Sequence, residues 1–275
     1  MKKTLVSLSL LALAMGFTSC SDDDKSQPAA DAAGTYTGYS EMSFKYSATP
    51  MIALNQSVEV TKVTDNTVAV KYASQTLGTY TLTDAKVIDS TTGPVITGNG
   101  TSVMGMPGSA SSSYECSLVA AINKKDVSVF EFTLPTVMGG TTTRVYTGEL
   151  PEAKYKYVMA GSYKGYFTGT ASYFPDGMKD TEEATVTVTA DEDNEVNIEA
   201  TSSTWGTFTC KGLVVSRVGN VFTVSGDGEC QMGMNGNVKS YPCEVEASKD
   251  AETDAFDLKF TVPSVMGGLT VTLGK

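Results

Sequence analysis

Apolar and polar residues alternate along most of the chain after residue 34, with a period of two. The alternation is clear over 57–61 and 68–70, on either side of a turn at Asp65-Asn66, and again over 185–188 and 195–198. Such a period places successive side chains on opposite faces of a β-strand. Further strands are predicted over 127–134, 140–147, 219–226, 238–247 and 256–262. No convincing helical stripe extends over ten residues, so the pattern predicts an all-β protein with turns at short spacing.

This pattern occurs twice, because the chain contains an internal repeat with an offset near 128 residues. Residues 34–39 (GTYTGY) correspond to 161–166 (GSYKGY), and 132–140 (FTLPTVMGG) correspond to 260–268 (FTVPSVMGG). Three further blocks match in the same order: 77–81 with 205–209, 104–106 with 232–234, and 114–116 with 241–243. We therefore expect two homologous domains of about eight antiparallel strands each, forming barrels or sandwiches. The first covers 34–150, and the second covers 151–275 and begins with a short linker around Pro151.

The first 33 residues predict export and a lipid anchor. Lys2 and Lys3 precede an apolar stretch over 5–17, which has the length of a signal peptide and is too short to span a bilayer as a helix. Residues 17–20 (FTSC) resemble a bacterial lipobox, with Phe17 where leucine is usual, so 1–19 is expected to be a lipoprotein signal peptide and Cys20 the site of lipid attachment. The alternative is an ordinary secretory signal with an incidental cysteine.

The residues that follow Cys20 are expected to form a flexible acidic tether over 20–33. Its start, Ser21-Asp22-Asp23-Asp24, resembles the surface-export signal of Bacteroidetes lipoproteins. Several acyl chains on one cysteine would hold the protein stably on a membrane. We therefore expect an exported outer-membrane lipoprotein that is exposed at the cell surface.

Charge and composition exclude several classes of function. The formal net charge is −11, which repels nucleic-acid phosphates, so no nucleic-acid partner is expected. The chain contains no histidine, which removes the commonest general base, the histidine-dependent catalytic triads and histidine metal sites. We predict no catalytic residues, no metal site and no cofactor, and therefore a protein that is not an enzyme.

The repeated motifs resemble the calycin-like β-barrel domains of Bacteroidetes lipoproteins. The motifs are the Gly-x-Tyr-x-Gly-Tyr opening, the Pro-x-Val-Met-Gly-Gly close and the lipoprotein leader. The resemblance implies two tandem antiparallel calycin-like β-barrels of binding type. In calycins a tryptophan on the first strand packs against a basic residue from the last strand. By this resemblance Tyr36 and Tyr163 take the place of the tryptophan, and Arg144 is the basic partner in the first repeat, where the second repeat has Thr272.

Methionines and tyrosines at matching positions are the candidate ligand-binding residues. A methionine-lined cavity adapts to varied apolar ligands, and tyrosines line a pocket mouth or stack on sugar rings. The alternative is that these side chains fill the core beside glycines that bend the strands. Tyr36 should face away from Tyr39, since they are three residues apart on a strand. The candidates are Tyr36, Tyr39, Met104, Met106, Met138, Tyr163, Tyr166, Met232, Met234 and Met266.

Cysteine positions allow one disulfide in the second repeat. Cys116 and Cys243 are repeat partners, whereas Cys210 and Cys230 have no counterparts. If residues 235–238 form the hairpin turn, Cys230 lies opposite Cys243 and the two could be bridged, with Cys210–Cys230 as the alternative. An exported protein permits such a bond. The chain has no Cys-x-x-Cys pair, which argues against a redox or zinc role.

Two binding functions remain open at the level of the sequence. The first is a lipid-anchored envelope protein that holds a small apolar ligand inside its barrels. The second is a surface module that contacts a protein or glycan through its loops. Barrel interiors filled by side chains would count against the first.

Overall fold

The computed structural model describes residues 27–74, 78–105, 110–234 and 237–274, which form two closed antiparallel barrels. The predicted signal peptide, Cys20 and Met106 lie outside these residues. The all-β prediction with two tandem barrels is confirmed. Among the described residues, no helix is both long enough and apolar enough to cross a bilayer.

The first barrel consists of eight strands that pair in sequence order. Strand β8 returns to β1, from Gly38 opposite Thr147 to Phe44 opposite Thr141, and closes the sheet. The strands are β1 (Gly34–Phe44), β2 (Met51–Lys62), β3 (Thr67–Ser74), β4 (Gly78–Ser90), β5 (Gly93–Met104), β6 (Ser112–Ala121), β7 (Val129–Leu134) and β8 (Thr141–Thr147).

The second barrel repeats this order, but the counterparts of β2 and β4 are each divided into two strands. Its ring runs β9-β11-β12-β13-β15-β16-β17-β18 and closes where β18 pairs with β9, while β10 and β14 each pair with one ring strand. The strands are β9 (Gly161–Ala171), β10 (Phe174–Lys179), β11 (Ala184–Ala190), β12 (Glu195–Ser202), β13 (Gly206–Val214), β14 (Ser216–Val218), β15 (Val221–Met234), β16 (Asn237–Asp250), β17 (Phe256–Val262) and β18 (Leu269–Gly274).

Large side chains fill both barrels. In the first, Tyr72, Tyr80, Phe130 and Phe132 are fully buried, with Tyr80 and Phe132 rings 4.7 Å apart. In the second, the fully buried aromatic residues are Phe167, Phe208, Phe222 and Phe260. Burial of aromatic rings at this density is a major source of stabilisation for a small barrel. The inward residues therefore act as packed core, which is the outcome that counts against an apolar ligand inside the barrels.

A short helix covers one end of each barrel. Helix α1 (Pro28–Ala32) lies within the segment expected to be a flexible tether, and that expectation is wrong for these residues because Ala29 and Ala32 are buried in the first core. Helix α2 (Tyr155–Met159) follows a 3-10 turn over Glu152–Lys154 and buries Val158 and Met159 against the second core. Packing, not helical periodicity, stabilises these five-residue helices.

The two barrels share a continuous apolar contact. Tyr39 on β1 points away from its own barrel and belongs to the buried cluster of the second barrel, together with Leu150 and Val158. Its ring stacks on that of Tyr146, 5.0 Å away. Lys154 lies over both rings and pairs with Glu41.

Candidate functional site

The opening motif of each repeat has a structural explanation. The Tyr36 hydroxyl donates to the carbonyl of Ala32 at 2.8 Å, and the Tyr163 hydroxyl donates to that of Met159 at 2.7 Å, so each tyrosine holds its end helix in place. Tyr36 also packs on Phe130 inside the barrel, with ring centroids 5.0 Å apart. The prediction that Tyr36 and Tyr39 face opposite sides is confirmed.

Tyr166, the repeat counterpart of Tyr39, has a different surrounding. Its ring is half-buried and lies 4.5 Å from the Lys179 ammonium group, which sits over its face. The four tyrosines proposed from the sequence are therefore not brought together at one pocket. Tyr36 and Tyr163 hold the end helices, and Tyr39 lies between the barrels. The fourth, Tyr166, lies under the Lys179 ammonium group.

The expected contact between Arg144 and Tyr36 is wrong. Arg144 lies on the outer face of β8, where its Nε donates to Glu131 at 2.7 Å, because outward positions alternate with the buried Thr143 and Val145. In the second barrel a basic residue does meet the tyrosine, but it comes from β16 and not from the last strand. Lys249 lies 5.1 Å from the centre of the Tyr163 ring, and this ring stacks on Phe256.

The methionines divide into two groups by position. Met104 and Met232 are partly buried at the barrel rims, against the first glycine of β4 and of β13. At these positions both methionine side chains fill space at the edge of the core. Met138 and Met266 are about half exposed in the turns that precede β8 and β18. Met106 lies outside the described residues, and Met234 is the last residue of β15.

The predicted Cys230–Cys243 disulfide is absent, and the register explains why. Cys230 lies opposite Tyr241, and Cys243 lies opposite Gly228, because the hairpin loop contains two residues and not four. Cys116, Cys210, Cys230 and Cys243 are all free and buried. Burial raises the pKa of the Cys230 thiol to about 12, so this thiol is protonated and unreactive at neutral pH.

An exposed tyrosine lies on a glycine turn at the tip of the first barrel. Residues 137–140 (VMGG) form the tight turn before β8, with φ of +49° at Met138 and +77° at Gly139. The ring of Tyr46 covers Gly139, since a Cβ there would lie 2.9–3.1 Å from three atoms at the ring's hydroxyl end. The Tyr46 side chain is nevertheless 77% exposed, so the glycine leaves space for the ring while its outer face stays in solvent.

The second barrel has a looser form of this arrangement, because a Cβ at Gly267 would lie 3.3 Å from Ser172 Oγ and 3.8 Å from the Tyr173 ring. Met266 and Gly267 have φ of +51° and +75°, and Tyr173 is 82% exposed beside Gly267. The hydroxyl of Ser172 donates to the Gly267 carbonyl at 3.0 Å and fixes the loop to the turn. We call Tyr46, Met138 and Gly139, and likewise Tyr173, Met266 and Gly267, the tip platforms. A methionine in the left-handed backbone conformation carries an energetic cost. Its presence at both tips marks them as candidate functional sites.

Sequence reasoning identified the methionines of the tip platforms but not their tyrosines. Tyr46 and Tyr173 are separated by 127 residues, the same offset as Tyr36 and Tyr163. The signal was therefore available in the repeat. It was missed because both residues lie in loops outside the blocks of strong similarity.

Two clefts lie outside the barrel interiors. One, of about 640 Å³, lies between the barrels and is lined by Met51, Ile52, Val158 and Lys249 among others. Burial opposes the charge of Lys249, but Tyr163 and Asp254 together raise its pKa, so this lysine is a cation over the whole physiological range. The other, of about 490 Å³, is formed by β15, β16 and β17 of the second barrel with residues of β18.

The comparisons with known proteins agree with this architecture. The family described as calycin-like beta-barrel domain matches residues 32–149 and 159–273. None of the curated proteins matches the chain. A crystal structure from Bacteroides fragilis, which carries the provisional name of an outer membrane protein, superimposes with a TM-score of 0.57 at 18% identity. It covers 90% of this chain and 100% of its own.

A second solved structure, a protein of unknown function from the DUF3598 family of Nostoc punctiforme, covers 92% of this chain and 100% of its own. Its TM-score is 0.24 at 9% identity.

Proposed function

Because the chain belongs to the calycin-like β-barrel domain family, we propose that it is a non-catalytic binding protein of the bacterial envelope. It is anchored through Cys20 and binds an extended glycan through its two tip platforms. The filled barrel interiors argue against the alternative of an apolar ligand held inside the barrels.

The observation that carries this proposal is the duplicated, exposed tyrosine on a glycine turn. An aromatic ring that leaves a face in water offers a flat apolar surface with a polar hydroxyl at its edge. The apolar face of a sugar ring stacks on such a surface, and the neighbouring backbone groups supply hydrogen bonds. Two copies on one chain suit a ligand made of repeating units, because engagement of one platform raises the effective concentration at the other.

The acidic surface also favours a glycan that is neutral or that carries few negative charges. The net charge of −11 would repel a strongly anionic polysaccharide. The family and the provisional name of the Bacteroides fragilis structure support an envelope protein. The leader over 1–19 and Cys20 support a lipid anchor.

A glycan array followed by titration of a polysaccharide hit tests the platforms. We expect Tyr46→Ala and Tyr173→Ala each to weaken binding by about tenfold, and the double variant to abolish it, since avidity is then lost. Tyr46→Phe keeps the ring and should keep binding. Val218→Ala removes an equally exposed apolar residue away from the tips and serves as the control. Undiminished binding in the double variant, or an array without any hit, would contradict the proposal.

The lipid anchor has its own test. Cells expressing the full chain are fed a labelled fatty acid, and the protein is recovered from membranes. Label should enter the wild type and be absent from Cys20→Ala, which should leave the membrane fraction. A Cys20→Ala protein that remains labelled would place the anchor elsewhere.

A further inference from the structure

One strand of the second barrel is broken where its counterpart in the first is continuous. Strand β2 of the first barrel is one strand from Met51 to Lys62, with a bulge between Ala53 and Gln56. The corresponding segment of the second barrel is divided into β10 and β11, with residues 180–183 between them outside any strand. Asp180 is the first residue of this break, and its N–H donates to the carbonyl of Phe167 on β9 at 2.7 Å.

Asp180 carries a buried carboxylate with one oxygen unused. The residue is 4% exposed. Its Oδ2 accepts from the Ser202 hydroxyl at 2.6 Å, and that hydroxyl in turn accepts the N–H groups of Thr204 and Trp205. Its Oδ1 has no hydrogen-bond partner among the described residues, and no described ion pair includes Asp180.

Trp205 presents a complementary unused group next to the same strand. The residue is also 4% exposed, and its Nε1 has no acceptor among the described residues. Its ring lies against Gly169 on β9, where a Cβ would be 2.4 Å from the ring atom bonded to Nε1. Phe174 of β10 stacks on this ring with centroids 5.7 Å apart.

The fold itself does not require this polar pair. By the repeat offset, the positions of Asp180 and Trp205 correspond to Ala53 and Leu77 in the first repeat, which are both apolar. A buried carboxylate oxygen without a partner destabilises the folded protein, and an unpaired indole N–H adds to that cost. A group retained at such cost in one repeat alone indicates a partner that the chain does not supply.

We propose that Asp180 and Trp205 form a binding site for a small primary amine that carries a neighbouring oxygen atom. The ammonium group donates to Asp180 Oδ1 and neutralises the buried carboxylate. The neighbouring oxygen accepts from Trp205 Nε1. The aromatic rings of Trp205 and Phe174 favour a cation over a neutral ligand. This proposal does not rest on the proposed glycan binding, although Phe174 directly follows Tyr173 of the second tip platform.

The chain offers a direct reporter, because Trp205 is its only tryptophan. Protein comprising residues 21–275, which contains every described element, is titrated with ethanolamine while the indole fluorescence and the single indole N–H resonance are recorded. Ethylene glycol, which lacks the amine, is the matched neutral probe. We expect a saturable change with ethanolamine and none with ethylene glycol.

Two substitutions test whether the charge of Asp180 is required for binding. Asp180→Asn keeps the shape of the side chain and removes its charge, and should weaken ethanolamine binding by at least about tenfold. Asp176→Asn removes the same charge from an exposed position of the same hairpin and should leave binding unchanged. An indole signal that does not respond to ethanolamine, or that responds equally to ethylene glycol, would overturn the proposal in favour of a buried water. The comparison of the two probes uses the wild-type protein and so does not depend on the folding of a variant.

Discussion

Five buried positions are polar in the first barrel and apolar or thiol-bearing in the second. Each is at most 1% exposed in both barrels. Since the same fold is built with either set, the first barrel must satisfy its hydroxyl groups internally or leave them unpaired. Tyr80 and Thr143 bond each other, with their oxygens 2.7 Å apart, and the Thr141 hydroxyl donates to the Val137 carbonyl at 2.9 Å. The pairs are Ser40 with Phe167, Tyr80 with Phe208, Ser102 with Cys230, Thr141 with Leu269, and Thr143 with Val271.

The Tyr80–Thr143 pair should show strong coupling. Tyr80→Phe and Thr143→Val each install the residue of the second barrel and leave one buried hydroxyl unpaired, so each should cost about 1–2 kcal/mol of unfolding free energy. The double variant removes both partners and should cost less than the sum by about 1 kcal/mol or more. Urea unfolding of the four proteins measures this cycle. Strictly additive values would show that the two hydroxyl groups do not interact.

Tyr80 should also make stability depend on pH under alkaline conditions. Burial raises the pKa of Tyr80 to about 12 in the folded protein, above the ordinary value of 10.0. A raised pKa means that the stabilisation is complete below about pH 10 and is lost as the pH rises towards 12, because the unfolded chain ionises first. Between pH 9 and 12, the unfolding free energy of Tyr80→Phe should therefore fall by up to about 2 kcal/mol less than that of the wild type. The difference in unfolding free energy between the two proteins below pH 9 is the reference. A difference that stayed constant from pH 9 to 12 would contradict this prediction.

At the scale of elements, the second glycine of each opening motif is required by barrel closure. A Cβ at Gly38 would lie 1.9 Å from the carbonyl oxygen of Tyr146 on β8, and one at Gly165 would lie 2.3 Å from that of Gly274 on β18. Both contacts fall at the seam where the last strand meets the first. The motif is therefore explained by a close approach of two backbones and not by a ligand.

Gly38→Ala should open or strain this seam. We expect a loss of at least about 3 kcal/mol of unfolding free energy, because the obstructing atoms belong to the backbone and cannot move aside cheaply. Gly161→Ala is the control: its Cβ would lie 3.3 Å from the Tyr163 hydroxyl oxygen at the end of a side chain, and it should cost less than about 1 kcal/mol. Thermal and urea unfolding measure both. Equal effects would show that closure does not depend on Gly38.

The sequence predicts these strands well because alternation reports directly on which side chains face a core. Val58, Val60, Val68 and Val70 are all buried as their alternation indicates. Helix α1 leaves no such signal, since residues 28–32 (PAADA) are too few to show a period and form a helix only by packing on the barrel. The length of the loop between β15 and β16 determines which residues lie opposite Cys230 and Cys243. The residues between Met234 and Asn237 are Asn-Gly, the pair typical of two-residue hairpin loops, and this favours the observed pairing over a longer turn.

The candidate sites were less predictable for a related reason. The tip platforms depend on an exposed loop tyrosine reaching a turn some 90 residues away, and periodicity carries no information about such contacts. Among the described residues, Asp180 and Trp205 are likewise linked only through Ser202, whose hydroxyl bonds the carboxylate of one and the backbone N–H of the other. Comparison of the two repeats position by position finds both sites. It identifies Tyr46 and Tyr173 as shared, and Asp180 and Trp205 as restricted to the second repeat.

At the scale of the whole molecule, the contact made by Tyr39 should join the two barrels into one cooperative unit. Its ring is buried in the second barrel's cluster, stacks on Tyr146 and lies under Lys154, and burial raises its pKa to about 12. Domains that share a core of this kind unfold together, whereas domains with a small polar contact unfold separately.

Tyr39→Ala should therefore divide one unfolding transition into two. Removal of a buried aromatic side chain costs about 3 kcal/mol. Here the loss falls on the contact between the barrels and on the stacking with Tyr146, while the backbone pairing of β1 with β8 is unchanged. Differential scanning calorimetry should show a single transition for the wild type and two for Tyr39→Ala. Tyr166→Ala truncates the repeat counterpart, which lies under Lys179 on the second barrel alone, and should keep one transition at a lower temperature. Two transitions in the wild type would mean that each barrel is stable without the other, and Tyr39 would then position the barrels without coupling their stabilities.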